Sequence, residues 1–285
     1  MCGRSVINLE IRFGQIACIA LVLFATAFPW GKVGHQTIGY IAQANLSPAT
    51  VEKLKPLLLG ENLADISTWA DDIKRRKRST GVWHYINLPI RENITEKDIP
   101  RFFNKHYHTD GNLVSQVKKD IVELKSGRGS LQDRQEALKF LVHFIEDAHQ
   151  PLHCMDDDDK GGNEKQVRFY APNSKSGRGH LDNLHSLWDN LIEVKAAENP
   201  EDLAKRLNGV IKPSQKQKWA SGSIEDWVWE SYSIAKSRIY PGFPAGPASA
   251  YSLPKNYFAE MRPIVDEQLE KAGVRLAREL DEILK

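Results

Sequence analysis

The chain has 285 residues, 41% hydrophobic and 27% charged, a balance that suits one substantial globular domain and excludes a disordered chain. Its 39 lysines and arginines against 37 aspartates and glutamates leave a formal net charge of +2. That excludes the whole-surface basic field that holds DNA by counterion release, so any nucleic acid bound here is held at a local site.

Residues 1–29 read as a signal peptide. Arg4 and Arg12 precede an uncharged apolar run from Ile16 to Phe28, and Ala25-Thr26-Ala27 has the small-x-small form of a signal-peptidase site. The run is shorter than the ~20 residues a membrane-spanning helix needs. Residues 30–285 are then a single exported domain, secreted or periplasmic, with no stable membrane insertion and no obligate protein partner. Cys2 and Cys18 fall in the leader, so Cys154 is the one cysteine of the mature chain and forms no internal disulfide.

Ser47-Pro48 predicts an N-cap and first helical position, opening a helix through about Leu59. A second helix is expected over Ile66 to Arg76, and Gly81 to Pro89 reads as extended or irregular. Leu113, Val117, Ile121 and Leu124 form a helical stripe within Asn112 to Lys125. Leu131 to Gln150 is more apolar and predicts a central buried helix ended by Pro151. A loop follows over Asp156 to Asn163, and then a short strand from Gln166 to Tyr170, half of a hairpin. Helices return over Asn183 to Ala197, near Asp202 to Leu207, from Ile224 to Arg238 and from Asn256 to Leu284. The predicted class is all-α with a minor β-hairpin.

The histidines carry the chemistry. His143 and Asp147 are four apart on the central helix, and His185 and Asp189 repeat that spacing, so each pair leaves one helix face. One such pair is commonly a hydrogen bond or ion pair. Two pairs on apolar helices are harder to explain that way, because a buried carboxylate costs several kcal/mol unless paired or metal-bound. With His35, His84, His153 and Asp71 they offer nitrogen and oxygen donors without thiolate, the donor set of hydrolytic zinc sites. His106, His108 and His180 lie in polar or glycine-rich sequence and read as surface residues. His149 reads as structural.

Several strings are specific enough to name a family. Trp30-Gly31-Lys32-Val33-Gly34-His35, Thr68-Trp69-Ala70-Asp71, Trp83-His84-Tyr85, the run from Phe140 to His153, Gly161-Gly162-Asn163, Asn183 to Asp189, Trp229-Glu230-Ser231, Tyr240-Pro241 and Ala272 to Ala277 occur in order across nearly the whole mature chain. Together they resemble the zinc-dependent single-strand-specific nucleases: the class I enzymes of the fungal S-one and P-one type, mung bean nuclease and their bacterial relatives. The resemblance implies three Zn2+ ions. Asp71, His84, His143 and Asp147 would hold the first, and His153, His185 and Asp189 the second. The free amine and carbonyl of Trp30, with His35 and Asp147, would hold the third, so that Asp147 bridges two ions.

The implied activity is hydrolysis of single-stranded DNA and RNA to 5′-phosphate products, with 3′-nucleotides as further substrates. Asp71, Lys74 and Asp147 are the implied catalytic residues, Lys74 at a phosphate-contacting position. Lys74 also belongs to the run Lys74-Arg75-Arg76-Lys77-Arg78, whose alternative reading is a solvated face. Asn87 stands where the fungal enzymes have a base-binding Asp, and Asn163 is a further candidate substrate contact. Two alternatives compete: a trinuclear zinc phospholipase C, and a zinc-binding protein without catalysis. The first lacks a recognisable choline cage, and the second would call for mobile His-rich tracts. Ligation by the Trp30 amine requires a chain that begins at Trp30, although the small-x-small site would leave Phe28-Pro29 in front of it.

Overall fold

The computed structural model describes residues 30–102, 111–170, 179–191 and 199–285. The leader, its cleavage site, His106 and His108 lie outside the described residues.

Four helices build the first quarter: α1 (Gly31–Asn45), α2 (Pro48–Leu58), α3 (Leu63–Ile66) and α4 (Trp69–Arg76). Helix α1 was not predicted, because three glycines dilute its apolar stripe. One of them is what lets it pack: a Cβ on Gly39 would lie 2.6 Å from Ala64 Cα, so α1 and α3 touch backbone to backbone. The Ser47 hydroxyl caps α2 by accepting from Thr50 N at 3.2 Å. The single helix expected over Ile66 to Arg76 is instead broken at Ser67, whose carbonyl turns to accept the His143 Nδ1 proton at 2.6 Å. A 3-10 helix (Arg78–His84) replaces the irregular start expected at Gly81.

Helices α5 (Leu113–Ser126) and α6 (Leu131–Asp147) open on reciprocal capping boxes, Asn112 with Ser115 and Ser130 with Asp133. Every residue from Phe140 to Asp147 is buried, which makes the end of α6 the centre of the core. The helix stops at Asp147, three residues before the expected Gln150. His149 N and Gln150 N turn back on Glu146 O and Asp147 O, both at 3.0 Å, and feed the chain into a 3-10 turn at Pro151–His153. Gln150 Oε1 caps that turn through Leu152 N at 2.7 Å.

Strand β1 (Lys165–Phe169) pairs antiparallel with β2 (His180–Asn183), the hairpin expected from sequence. A third strand, β3 (Ala248–Ser252), joins β1 in parallel from the far end of the chain and was not foreseen. The remaining helices are α7 (Leu184–Asp189), α8 (Pro200–Val210), α9 (Pro213–Trp219), α10 (Ile224–Ile234) and α11 (Tyr257–Ile283). Helix α7 ends at Asp189, far short of Ala197; part of that expected helix lies outside the described residues. Helix α9 is an addition, and α10 closes in a π-helical turn (Ala235–Ile239). Helix α11 packs on α1 so closely that a Cβ on Gly273 would collide with Ile41. The fold is mostly α-helical with one small sheet. No described helix is long and apolar enough to cross a membrane.

Candidate metal centre

Five segments converge on the buried end of α6. Helix α1 brings His35, and α4 brings Asp71. The 3-10 helix before Tyr85 brings His84, the turn after α6 brings His153, and α7 brings His185 and Asp189. The strand-like run from Ile86 to Ile90 lies beside His153 to Asp156: Ile86 N reaches His153 O at 2.8 Å, and Asp156 N reaches Leu88 O at 2.9 Å. That pairing brings His84 and His153 to the same wall.

Carbonyl oxygens fix the tautomers, because a carbonyl only accepts. His143 Nδ1 donates to Ser67 O at 2.6 Å, His153 Nδ1 to His84 O at 2.7 Å and His185 Nδ1 to Gly161 O at 2.7 Å. All three rings therefore present an Nε2 lone pair inward, the arrangement found when histidine binds a metal. His153 Nε2 and His185 Nε2 face each other at 3.2 Å, and His185 Nε2 lies 3.7 Å from Asp189 Oδ2. Two opposed lone pairs at that range need a cation or a proton between them. His143 Nε2 lies 3.0 Å from His84 Nδ1 and 3.3 Å from Asp147 Oδ2, with Asp71 Oδ1 at 3.8 Å from both rings.

Asp147 divides its two oxygens between two neighbourhoods. Oδ2 faces His84 and His143, with His84 Nδ1 at 3.0 Å, whereas Oδ1 faces His35 Nε2 at 3.6 Å. His35 in turn is bonded through Nδ1 to Glu146 Oε2 at 2.5 Å. Trp30 is anchored beside them by its indole, which donates to Glu146 O at 3.0 Å. Among the described residues, three groups thus have donor atoms close enough to share an ion: Asp71 with His84 and His143, His153 with His185 and Asp189, and His35 with Glu146 and His143.

The electrostatics point the same way. Burial pushes the Asp189 and Glu146 carboxyls well above the usual carboxylate range, and the neighbouring carboxylates add to it. Asp147 is pushed up to about 6, again chiefly by burial. Burial also holds His84 and His153 well below the ordinary histidine range, and His185 down to about 4. Burial works to lower His143 too, but Asp147 and Asp71 outweigh it and raise it. Carboxylates starved of positive charge beside neutral histidines form a cavity that a divalent cation completes. The donors fit zinc: imidazole nitrogen and carboxylate oxygen, with no thiolate among them.

Lys74 Nζ pairs with Asp71 Oδ1 at 2.8 Å and is 28% exposed, turned towards the buried donors. A cavity of about 420 Å³ opens over His84, His153 and His185, and Lys74, Tyr85, Asn87, Asp156, Lys160 and Asn163 line it. Its floor loop is held from behind. Lys165, fully buried, donates to Pro244 O and Gly246 O at 2.9 and 2.5 Å and sits 3.3 Å from Asp159 Oδ2. Asp159 takes Gly162 N and the Tyr240 hydroxyl, each at 2.9 Å. This grip sets Gly161 O where His185 needs it.

His149 is structural, as expected: Nδ1 donates to Ile145 O at 2.7 Å, and Nε2 accepts from Arg275 Nη1 at 2.9 Å. Burial and Arg275 together hold it near 3, so it stays neutral. His180 is exposed on β2. Sequence reading passed over two residues inside the string it relied on. One is Glu146, which bonds His35; the other is Gln150, whose Nε2 donates to Asp189 Oδ1 at 2.6 Å. The only signal for them was their place beside ligand candidates.

Similarity to known proteins agrees with this geometry. The profile of the family described as S1/P1 Nuclease matches residues 30–285. Endonuclease 2 of Arabidopsis thaliana is 30% identical, the match covering 89% of this chain and 90% of that protein. Nuclease S1 of Aspergillus oryzae is 29% identical over 95% of this chain and 97% of its own length. Nuclease P1 of Penicillium citrinum is 29% identical over 89% and 97%. The chain belongs to the S1/P1 nuclease family and is a nuclease.

Proposed function

We propose that the chain is an exported endonuclease that hydrolyses phosphodiester bonds of single-stranded DNA and RNA to 5′-phosphate products, and that it also acts on 3′-nucleotides. Three Zn2+ ions would be held as the resemblance implies: by Asp71, His84, His143 and Asp147; by His153, His185 and Asp189; and by Trp30, His35 and Asp147. The observation that carries this reading is Asp147, whose two oxygens face separate histidine neighbourhoods. Bound zinc would supply a water acidified towards neutral pH and positive charge for the phosphoryl oxygens and the leaving oxygen.

The chain's own residues do the rest. Asp71 holds Lys74 at the cavity rim, where its ammonium can meet a phosphate that enters over His84. The Tyr85 ring in the cavity wall offers a stacking face, which tolerates any base. Asn87 replaces a charged base contact with a neutral amide, which can donate as well as accept. The Trp30 indole on Glu146 O keeps residue 30 at the end of α6, which supports a mature chain that begins there with a free amine.

Incubating the zinc-loaded protein with single-stranded DNA, duplex DNA, RNA, a 3′-mononucleotide and phosphatidylcholine vesicles tests this directly. Cleavage of both single strands and release of phosphate from the mononucleotide is the expected result. Turnover of phosphatidylcholine alone would favour the phospholipase reading, and no turnover with zinc bound would favour a zinc-binding protein. Intact mass of the active protein checks the start at Trp30.

A further inference from the structure

Glu146 is given no ion in the three ligand sets proposed above, yet it is a fully buried acidic group. Its side chain is 0% exposed, and Oε1 has no hydrogen-bond partner among the described residues. Leaving a carboxylate in such a place costs several kcal/mol unless something compensates. Among the described residues its polar contact is with His35: Oε2 lies 2.5 Å from Nδ1. Beside bound cations Glu146 is an ionised carboxylate, which can only accept, so the proton sits on Nδ1 and Nε2 becomes the lone-pair nitrogen, aimed at Asp147 Oδ1 3.6 Å away.

His35 has little freedom to do otherwise. One face of its ring stacks on His143, with centroids 4.2 Å apart and planes 15° from parallel. Stacked rings send their lone pairs along parallel planes, so His35 and His143 do not converge on one ion. His143 is also already committed, through Nδ1 to Ser67 and through Nε2 to the His84 side. Glu146 therefore belongs with His35 alone. The backbone of Glu146 is tied to the same corner, because its carbonyl carries the Trp30 indole.

We propose that Glu146 is a positioning residue for the third metal site: its carboxylate accepts the hydrogen bond from His35 Nδ1 and so fixes Nε2 as the ligand nitrogen. This rests on the trinuclear reading given above. A carboxylate behind a metal-binding histidine raises the ring's basicity and holds its plane, and its loss typically costs tenfold to a hundredfold in metal affinity. Helix α6 then serves the site with two consecutive carboxylates, Asp147 towards the ions and Glu146 towards a ligand.

The test is a metal count, not a rate. Wild type, Glu146→Ala, His35→Ala and the double variant are equilibrated with zinc buffered over a range of free concentrations, and bound zinc per chain is read by elemental analysis. Thermal melts establish that each is folded. The wild type is expected to reach three zincs. Glu146→Ala should need tenfold to a hundredfold more free zinc for the last ion and hold the other two unchanged. The double variant should be no weaker than His35→Ala, since Glu146 acts only through that ring. If the alanine variant does not fold, Glu146→Gln carries the test: it keeps the volume and an acceptor but not the charge, and should weaken the same ion by less.

A wild type with three zincs and a Glu146 variant with unchanged titration overturns the proposal alone. Additive losses in the double variant overturn it too, because Glu146 would then be a ligand itself, as would equal weakening of all three ions. A wild type that saturates at two zincs overturns the trinuclear reading and this proposal with it.

Discussion

Gln150→Leu asks whether the second zinc depends on a residue that never touches it. Leucine removes both polar atoms of glutamine at a similar chain length, so the perturbation is chiefly chemical. In the native chain Gln150 Nε2 donates to Asp189 Oδ1 at 2.6 Å, and Oε1 accepts from Leu152 N at 2.7 Å. The first bond involves an ionised acceptor and contributes roughly 1.5–3 kcal/mol; the second contributes about 1. Asp189 is 1% exposed and has no solvent to replace the lost donor. If most of the first bond's energy is spent on orienting the carboxylate, zinc at His153, His185 and Asp189 should weaken about tenfold to a hundredfold, since 1.4 kcal/mol is a factor of ten. Buffered-zinc titration with elemental analysis reads this directly, alongside turnover of single-stranded DNA. Gln150→Glu is the companion variant. It sets a second carboxylate against Asp189 and should either bind less zinc or take up a proton to avoid it. A leucine variant that holds all its zinc at wild-type free concentrations would refute the reasoning, because Asp189 would then be oriented without Gln150.

Asp147→Asn should cost more than one zinc per chain and nearly abolish turnover, as its two oxygens face two donor groups; elemental analysis of the purified variant checks it, and full occupancy would remove Asp147 from the site. Chelation should lower the melting temperature as well as stop turnover, because the ions would tie α6 to donors from five other segments; an unchanged melt after verified zinc removal would mean the cluster is not structural. Lys74→Ala should lower turnover on every nucleic acid by tenfold or more, roughly what loss of a charge-assisted phosphate contact costs, with zinc content intact. Normal kinetics would return Lys74 to the solvated run. Asp120, on α5, gives a pH test away from the site. Burial raises its carboxyl to about 8, so the folded chain holds that proton more tightly than the unfolded one. Its stability is therefore greatest below about pH 4 and declines as pH rises towards 8, at most by about 5 kcal/mol. Asp120→Asn removes the penalty and should melt several degrees above wild type near pH 8.5, with the gap closing by about pH 4; a gap independent of pH would refute the assignment.

Local spacing made part of the site legible. His143 with Asp147, and His185 with Asp189, announce themselves because helical periodicity puts residues four apart on one face. What joins them was not legible, since no local rule says that α1, α4 and α7 end at the same corner of α6. The resemblance supplied that assembly, and the described residues bring the named side chains together. Helix α1 was lost to its glycines; the purpose of Gly39 is visible only against Ala64. Strand β3 was lost because it is added from a distant part of the chain. The end of α6 was set three residues late, since Pro151 marks where a helix cannot continue and not where this one turns. Glu146 was hidden by its own neighbourhood: in a string already explained by ligands, a carboxylate next to a ligand looks like spacing.

Helix α11 supplies no candidate donor, yet it grips both carriers of the cluster. Gln268 Nε2 donates to His149 O at 3.0 Å, Arg275 bonds the His149 ring, and Gly273 admits Ile41 of α1. The ribosome therefore delivers every donor, from Trp30 to Asp189, well before the helix that frames them. A chain truncated before Gln268 keeps every candidate donor and lacks the contacts through which α11 holds His149 and α1.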